Sequence, residues 1–227
     1  MTIYYTADTH FGHANIIRFC DRPFAGVAEM DAELIARWNE KVGDDDDVYV
    51  VGDFAYRNAE SAAKYLRALS GRKHLVVGNH DRKWMRDARA VALLESSEGV
   101  ADIVDGGRRV VMCHYPLMTW PGRESYMVHG HIHDDTRGAY WPLLASYGRA
   151  LNAGVDVNGF EPCTLDELVE NNRKWKAAHG AARMTLSPAD FDAFAAALEA
   201  PVAPEFLELL EYEPLWAETE EGDRHEA

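Results

Sequence analysis

No apolar run in this sequence approaches the roughly 20 residues that a membrane-spanning helix needs. Stretches such as Val48 to Val51 and Val110 to Met112 are strand-sized, so no membrane association is expected. Cysteine is scarce as well. The three present, Cys20, Cys113 and Cys163, lie far apart with no CxxC pair, which argues against a disulfide framework and suits a reducing compartment. The first residues lack a basic start followed by a sustained apolar stretch, so no secretory signal is visible and a cytoplasmic location is expected. Positive charge is also in short supply: 23 Lys and Arg against 38 Asp and Glu give a net charge of -15. That balance repels the backbone of long nucleic acids, and no basic stripe compensates for it. Residues 161–227 hold 16 of the acidic and 5 of the basic side chains; the remaining 22 and 18 leave the upstream part at only -4. Small phosphorylated molecules fit such a chain better, because bound divalent ions reverse the field locally.

What is present is the composition of an ordinary globular protein, 47% apolar and 27% charged. A length of 227 residues fits one main domain with a small appendage. Short apolar runs at Ile3–Ala7, Val48–Val51, Leu75–Val77, Val110–Cys113 and Tyr126–Val128 each end in polar residues and read as buried strands. Helical spacing separates the first three: Leu34, Ile35 and Trp38 share one face, and Tyr65, Leu66 and Leu69 share another. Alternation of this kind predicts an α/β core. Asp105-Gly106-Gly107 between two strand-like runs predicts a hairpin. Leu151 to Val157 reads as one more strand, and Thr164 with Glu167 as a capping box that opens a helix. The expected division is a main domain over 1–176 and an acidic helical appendage with a frayed tail over 177–227, the helix starting near Ser187-Pro188.

Acids, histidines and an amide stand just beyond the predicted strands: Asp8 and His10, then Asp53, Asn79 and His80, then His114, then His131 and His133. Residues two apart in an extended segment project the same way, so Asp8/His10 and His131/His133 can each offer two ligands to one cleft. Carboxylate, imidazole and amide donors suit manganese, iron or zinc, with manganese the first choice. Two such ions about 4 Å apart can activate a water and neutralise a phosphoryl group.

Asp8-Thr9-His10, Gly52-Asp53, Gly78-Asn79-His80-Asp81, His114 and Gly130-His131-Ile132-His133 together resemble the successive motifs of the calcineurin-like metallophosphoesterase superfamily. The resemblance covers roughly residues 1–160. It implies that Asp8, His10 and His133 hold one metal, that Asn79, His114 and His131 hold the other, and that Asp53 bridges them. His80 would act as general acid or phosphate stabiliser, with Asp81 orienting its imidazole. The implied cofactors are two divalent ions, manganese first and iron, zinc or nickel as alternatives. The implied fold is a four-layer α-β-β-α sandwich of two mixed sheets. Hydrolysis of a phosphomonoester or phosphodiester of a small molecule or nucleotide follows. A nuclease of the same superfamily is the nearest rival, suggested by Asp8-Thr9-His10-Phe11-Gly12-His13; a non-catalytic scaffold is the alternative from another class.

Other features read as structural. Asp44 to Asp47 lacks the alternating ligands and terminal glutamate of a calcium loop and reads as solvated. Cys113 reads as core, and Asp134 and Asp135 as solvating the turn after the last motif. His13, the aromatic residues Trp120, Tyr140 and Trp141, and the arginines Arg22, Arg57, Arg123 and Arg137 are possible substrate contacts that no spacing rule selects.

Overall fold

A computed structural model describes residues 1–56 and 59–180. In chain order its elements are β1 (Ile3–Thr6), α1 (Ala14–Phe19), α2 (Val27–Lys41), β2 (Asp47–Val50), α3 (Ala59–Ala68), β3 (Arg72–Val76), α4 (Ala88–Val91), β4 (Ser96–Glu98), β5 (Val100–Asp105), β6 (Arg108–Cys113), β7 (Tyr126–His129), α5 (Trp141–Ser146), β8 (Ala150–Asn152) and α6 (Leu165–Ala178). The strands form two sheets of four, ordered β1-β2-β3-β4 and β5-β6-β7-β8. The first sheet is wholly parallel rather than mixed. In the second, β5 and β6 are antiparallel and the other pairs parallel.

Alternation along the strands builds the layers, because successive side chains point to opposite faces. Tyr5 and Val76 of the first sheet, with Val51 just past β2, meet Val110, Met112, Val128 and Leu151 of the second in one buried core. Val48, Val50 and Leu75 point the other way, onto Met30, Leu34 and Trp38 of α2 and Leu66 of α3. Behind the second sheet, Met127 and Ala150 pack with Leu144 of α5 and Trp175 of α6. The order of layers is thus α-β-β-α, as the motif resemblance implied.

Local signals explain the boundaries. Met30, Leu34 and Trp38 recur every four residues and are the buried positions of α2. The Thr164–Glu167 capping box opens α6, with Glu167 taking the Thr164 amide at 2.8 Å. Gly106 (φ +54) and Gly107 (φ +80) supply the two left-handed residues that a tight hairpin between β5 and β6 requires. The strand expected over Leu151 to Val157 stops at Asn152. There the Asn152 side chain accepts the Gly154 amide at 2.8 Å, and Val157 and Asn158 turn back onto Gly154 and Val155. The predicted C-terminal helix near Ser187 lies outside the described residues.

Lys176 fastens α6 to the second sheet: its ammonium donates to the carbonyls of Leu144 (3.2 Å), Tyr147 (2.8 Å) and Ala150 (2.6 Å). Burial pushes its pKa down to about 8. Lys176→Met keeps the apolar stem but removes three charge-assisted bonds, although the Leu144 and Tyr147 carbonyls keep the Tyr147 and Ala150 amides, and should cost about 2 kcal/mol in urea denaturation.

Candidate metal centre

The motif residues collect at the ends of β1, β2, β3, β6 and β7, and His10, His80, His131 and His133 among them line a cleft of about 940 Å³. Asp8 and Asp53 emerge where the two parallel strands β1 and β2 end, their loops cross-linked by Asp8 N–H to Gly52 O and His10 N–H to Asp53 O, both 3.0 Å. Glycines let these loops touch. A Cβ on Gly78 would sit 2.4 Å from Asp53 Oδ1, and one on Gly52, at φ +85, 2.3 Å from His114 Nδ1.

Asp8, His10, Asp53, His131 and His133 all adopt left-handed φ, between +50° and +73°. The paired ligands therefore do not project from extended segments, as the two-residue spacing suggested; each turns inward at a kink. Non-glycine residues held there cost about 1 kcal/mol or more and persist where neighbours enforce them. Here the enforcement includes Asp8, whose carboxylate accepts the His131 amide at 2.9 and 3.1 Å.

Asp53 lies at the centre. Its Oδ2 is 3.4 Å from His114 Nε2, 3.7 Å from His10 Nε2 and 3.9 Å from His80 Nε2, while its Oδ1 accepts the His80 amide at 2.8 Å. On one side, ligand atoms of Asp8, His10 and His133 come within 4.8 Å of one another, as do those of Asp8, Asp53 and His114. On the other, Asn79 Oδ1 is 3.0 Å from His114 Nε2 and 3.1 Å from His131 Nδ1. Asp8, His10, Asp53 and His114 are buried, whereas Asn79 and His131 are exposed. His133 is half-buried, and His10, His131 and His133 all reach the cleft, so both sides of the centre face it.

These residues fit a pair of divalent cations on grounds internal to the chain. Both ring nitrogens of His10 are buried without a hydrogen-bond partner, an arrangement costly for imidazole unless an ion takes one of them. Burial also holds His10 well below its usual pKa, in the neutral form that ligates. His114 Nδ1 meets Val51 O at 3.0 Å, which leaves Nε2 toward Asn79 and Asp53. Burial pushes Asp8 up to about 6. For Asp53 burial acts in the same direction, but the hydrogen bond and charge of His114 outweigh it and hold the group near 2. Burial lowers His114 and His133, yet Asp53 and Asp156 respectively overcome it, raising them to about 9 and about 11. In the metal-free chain, protons on two imidazoles thus balance the buried carboxylates; divalent ions would take over that charge.

Asp81 departs from its expected role. Rather than orienting the His80 imidazole, its buried carboxylate accepts the amides of Asp53 (2.8 Å), Phe54 (2.9 Å) and Gly78 (2.8 Å) and the Trp84 indole (2.9 Å). Both oxygens are used, so Asp81 ties the Asp53 and Asn79 loops together. Arg22 departs as well: it is buried in a bidentate pair with Asp156 and contacts no cleft volume. Asp156 itself, which the sequence reading missed, accepts His133 Nδ1 at 2.8 Å. Cys20 joins them within 4.8 Å, but Arg22 occupies both Asp156 oxygens and leaves no cation site there.

Of the remaining candidates, His13 stacks on Tyr56 at 3.7 Å and lines the cleft, as do Asp134, Asp135, Arg137 and Tyr140. Arg137 pairs with Asp135 at 2.8 Å. Trp120 and Trp141 are packing residues, their indoles donating to Ser125 O and His179 O. The Asp44–Asp47 run is only partly solvated: Asp46 takes the Thr2 and Gly43 amides, and Asp47 pairs with Arg72 and His74. Cys113 is core. Arg57 lies outside the described residues.

Two sheets flanked by helices, with carboxylates, imidazoles and an amide gathered at the strand ends, define the class of dinuclear metal-dependent phosphoesterases. The chain belongs to the calcineurin-like phosphoesterase family, whose model matches residues 1–203. It is 33% identical over 177 residues to an uncharacterized protein of Methanocaldococcus jannaschii, covering 77% of this chain and 93% of that one. It is 30% identical over 158 residues to the gene 66 protein of Mycobacterium phage D29, covering 58% and 78%. Among solved structures, a protein of unknown function from Aquifex aeolicus matches with a TM-score of 0.57 and 26% identity, over 74% of this chain and 97% of that one. Among the described residues, no helix is long and apolar enough to cross a membrane.

Proposed function

We propose that this protein hydrolyses a phosphomonoester or phosphodiester of a small molecule or nucleotide, using two divalent ions with manganese preferred. The observation that carries the reading is Asp53, a buried carboxylate with one oxygen 3.4 to 3.9 Å from the imidazoles of His114, His10 and His80, the last two of which line an open cleft. Bound ions would supply an activated water and neutralise phosphoryl charge. Asp8, His10 and His133 would hold one ion and Asn79, His114 and His131 the other, with Asp53 shared between them. His80 is anchored through its amide to Asp53, while its half-exposed ring lines the cleft. At that position it would stand beside a bound ester and could protonate the departing oxygen. The acidic composition and three unpaired cysteines support a small phosphorylated substrate, rather than long nucleic acid, in a reducing cytoplasm.

The test is to purify the chain without chelator, count metals, and assay a chromogenic phosphodiester and a phosphomonoester with added manganese. About two metals per chain with turnover supports the reading; an inert protein that binds none overturns it. His80→Ala should lower kcat about 100-fold on esters with poor leaving groups and much less on nitrophenyl esters, whose leaving oxygen needs little protonation. Equal losses on both would remove His80 from the acid role.

A further inference from the structure

We infer that Arg22 and Asp156 form a positioning pair that fixes the His133 imidazole and so sets the affinity of one metal site only, that of Asp8, His10 and His133. The inference rests on the phosphoesterase reading above. Asp156 takes His133 Nδ1 at 2.8 Å, leaving Nε2 as the nitrogen available to an ion. Arg22 grips both Asp156 oxygens, Nε at 2.7 Å and Nη2 at 2.9 Å. Its remaining reach goes to the other ligand segment: Nη2 donates to Asp8 O at 2.7 Å and Nη1 to Thr9 O at 3.1 Å. One guanidinium therefore spans the backbone that carries Asp8 and the carboxylate that aims His133, segments separated by more than 120 residues.

Both charged side chains are almost wholly buried. Buried pairs recover their desolvation cost only with close geometry and full hydrogen bonding, and well-packed apolar residues often serve stability as well or better. Stability alone thus gives little reason for this pair, whereas aiming a ligand gives a specific one. A carboxylate on the far nitrogen fixes the tautomer of a ligating imidazole and makes it more basic. The opposite site uses a different device, since His114 is oriented by the Val51 carbonyl. Asn152 adds a backbone restraint on the same side as the pair, donating to His133 O at 2.7 Å. Loss of Asp156 should consequently be felt at one site and not the other.

The experiment titrates metal-stripped full-length protein with manganese by calorimetry, and with cobalt by visible absorption, for wild type and Asp156→Asn. One binding step should weaken about 10- to 100-fold with an altered cobalt spectrum, while the other stays within about twofold. The double variant Arg22→Gln/Asp156→Asn removes both charges together and gives the same readout if the single variant does not fold. Wild-type steps that are both unchanged, or both equally weakened, in the variants would overturn the positioning role while leaving the phosphoesterase reading intact. A wild-type chain that takes up no metal would overturn both.

Discussion

Asp53→Asn is expected to lower kcat/KM on any phosphate ester about 1,000-fold or more, some 4 kcal/mol of transition-state stabilisation. The substitution keeps shape and removes charge. Asp53 Oδ1 accepts the His80 amide, and an asparagine would keep its only acceptor there. Its NH2 would then stand where Oδ2 lies now, among His10, His80 and His114, presenting hydrogens to the position a cation should fill. Elemental analysis should find at least one metal lost per chain alongside the rate. A variant that binds as much metal as wild type and keeps near-normal turnover would overturn the proposed shared role of Asp53.

The same variant makes a separate statement in the metal-free state. The folded protein holds Asp53 near 2 against an ordinary 3.8, because its histidine neighbours outweigh burial. A depressed carboxylate pKa contributes stability that is present above the unfolded value and lost as pH falls through the folded one. Wild type should therefore exceed Asp53→Asn by about 2 kcal/mol at neutral pH, the gap closing between about pH 4 and pH 2. Stability and turnover thus depend on the same charge through different partners, imidazolium without metal and cation with it.

Much of this site was legible because metal ligation demands particular donors at strand ends, and the sequence marks strand ends with short apolar runs. Asp8 and His114 follow such a run directly, and Asp53 one glycine later. Asp156 follows one too, but Leu151 to Val157 reads as a single strand, which hid the acid inside an apparent core segment; only the turn at Asn152 and Gly154 exposes it. Arg22 carried no spacing signal, since its partners lie at residues 8, 9 and 156 and meet only in the fold. β4, Ser96-Ser97-Glu98, was invisible for a different reason: a short polar edge strand pairs through its backbone and has no buried side to mark it. The left-handed backbone at five motif residues was likewise beyond periodicity, because it comes from contacts between loops rather than from local preference.

Asp81→Asn should separate the two roles a motif aspartate of this kind can play. Had it oriented the His80 ring, the substitution would depress kcat and spare the fold. Its four donors predict the reverse order of effects. Asp53 and Gly78 amides converge on Oδ2, and the Phe54 amide and Trp84 indole on Oδ1, all between 2.8 and 2.9 Å and all buried. Asparagine offers one acceptor oxygen, so whichever way it turns, its NH2 faces two donors that cannot accept and two buried N–H groups lose their partner. Each stranded buried group costs about 1–3 kcal/mol, so the variant should lose about 3–5 kcal/mol of stability in denaturant titration. Because those amides fix the spacing of the Asp53 and Asn79 loops, metal affinity should fall with stability, on both sides of the centre. Unchanged stability with a selective loss of kcat would return Asp81 to the imidazole.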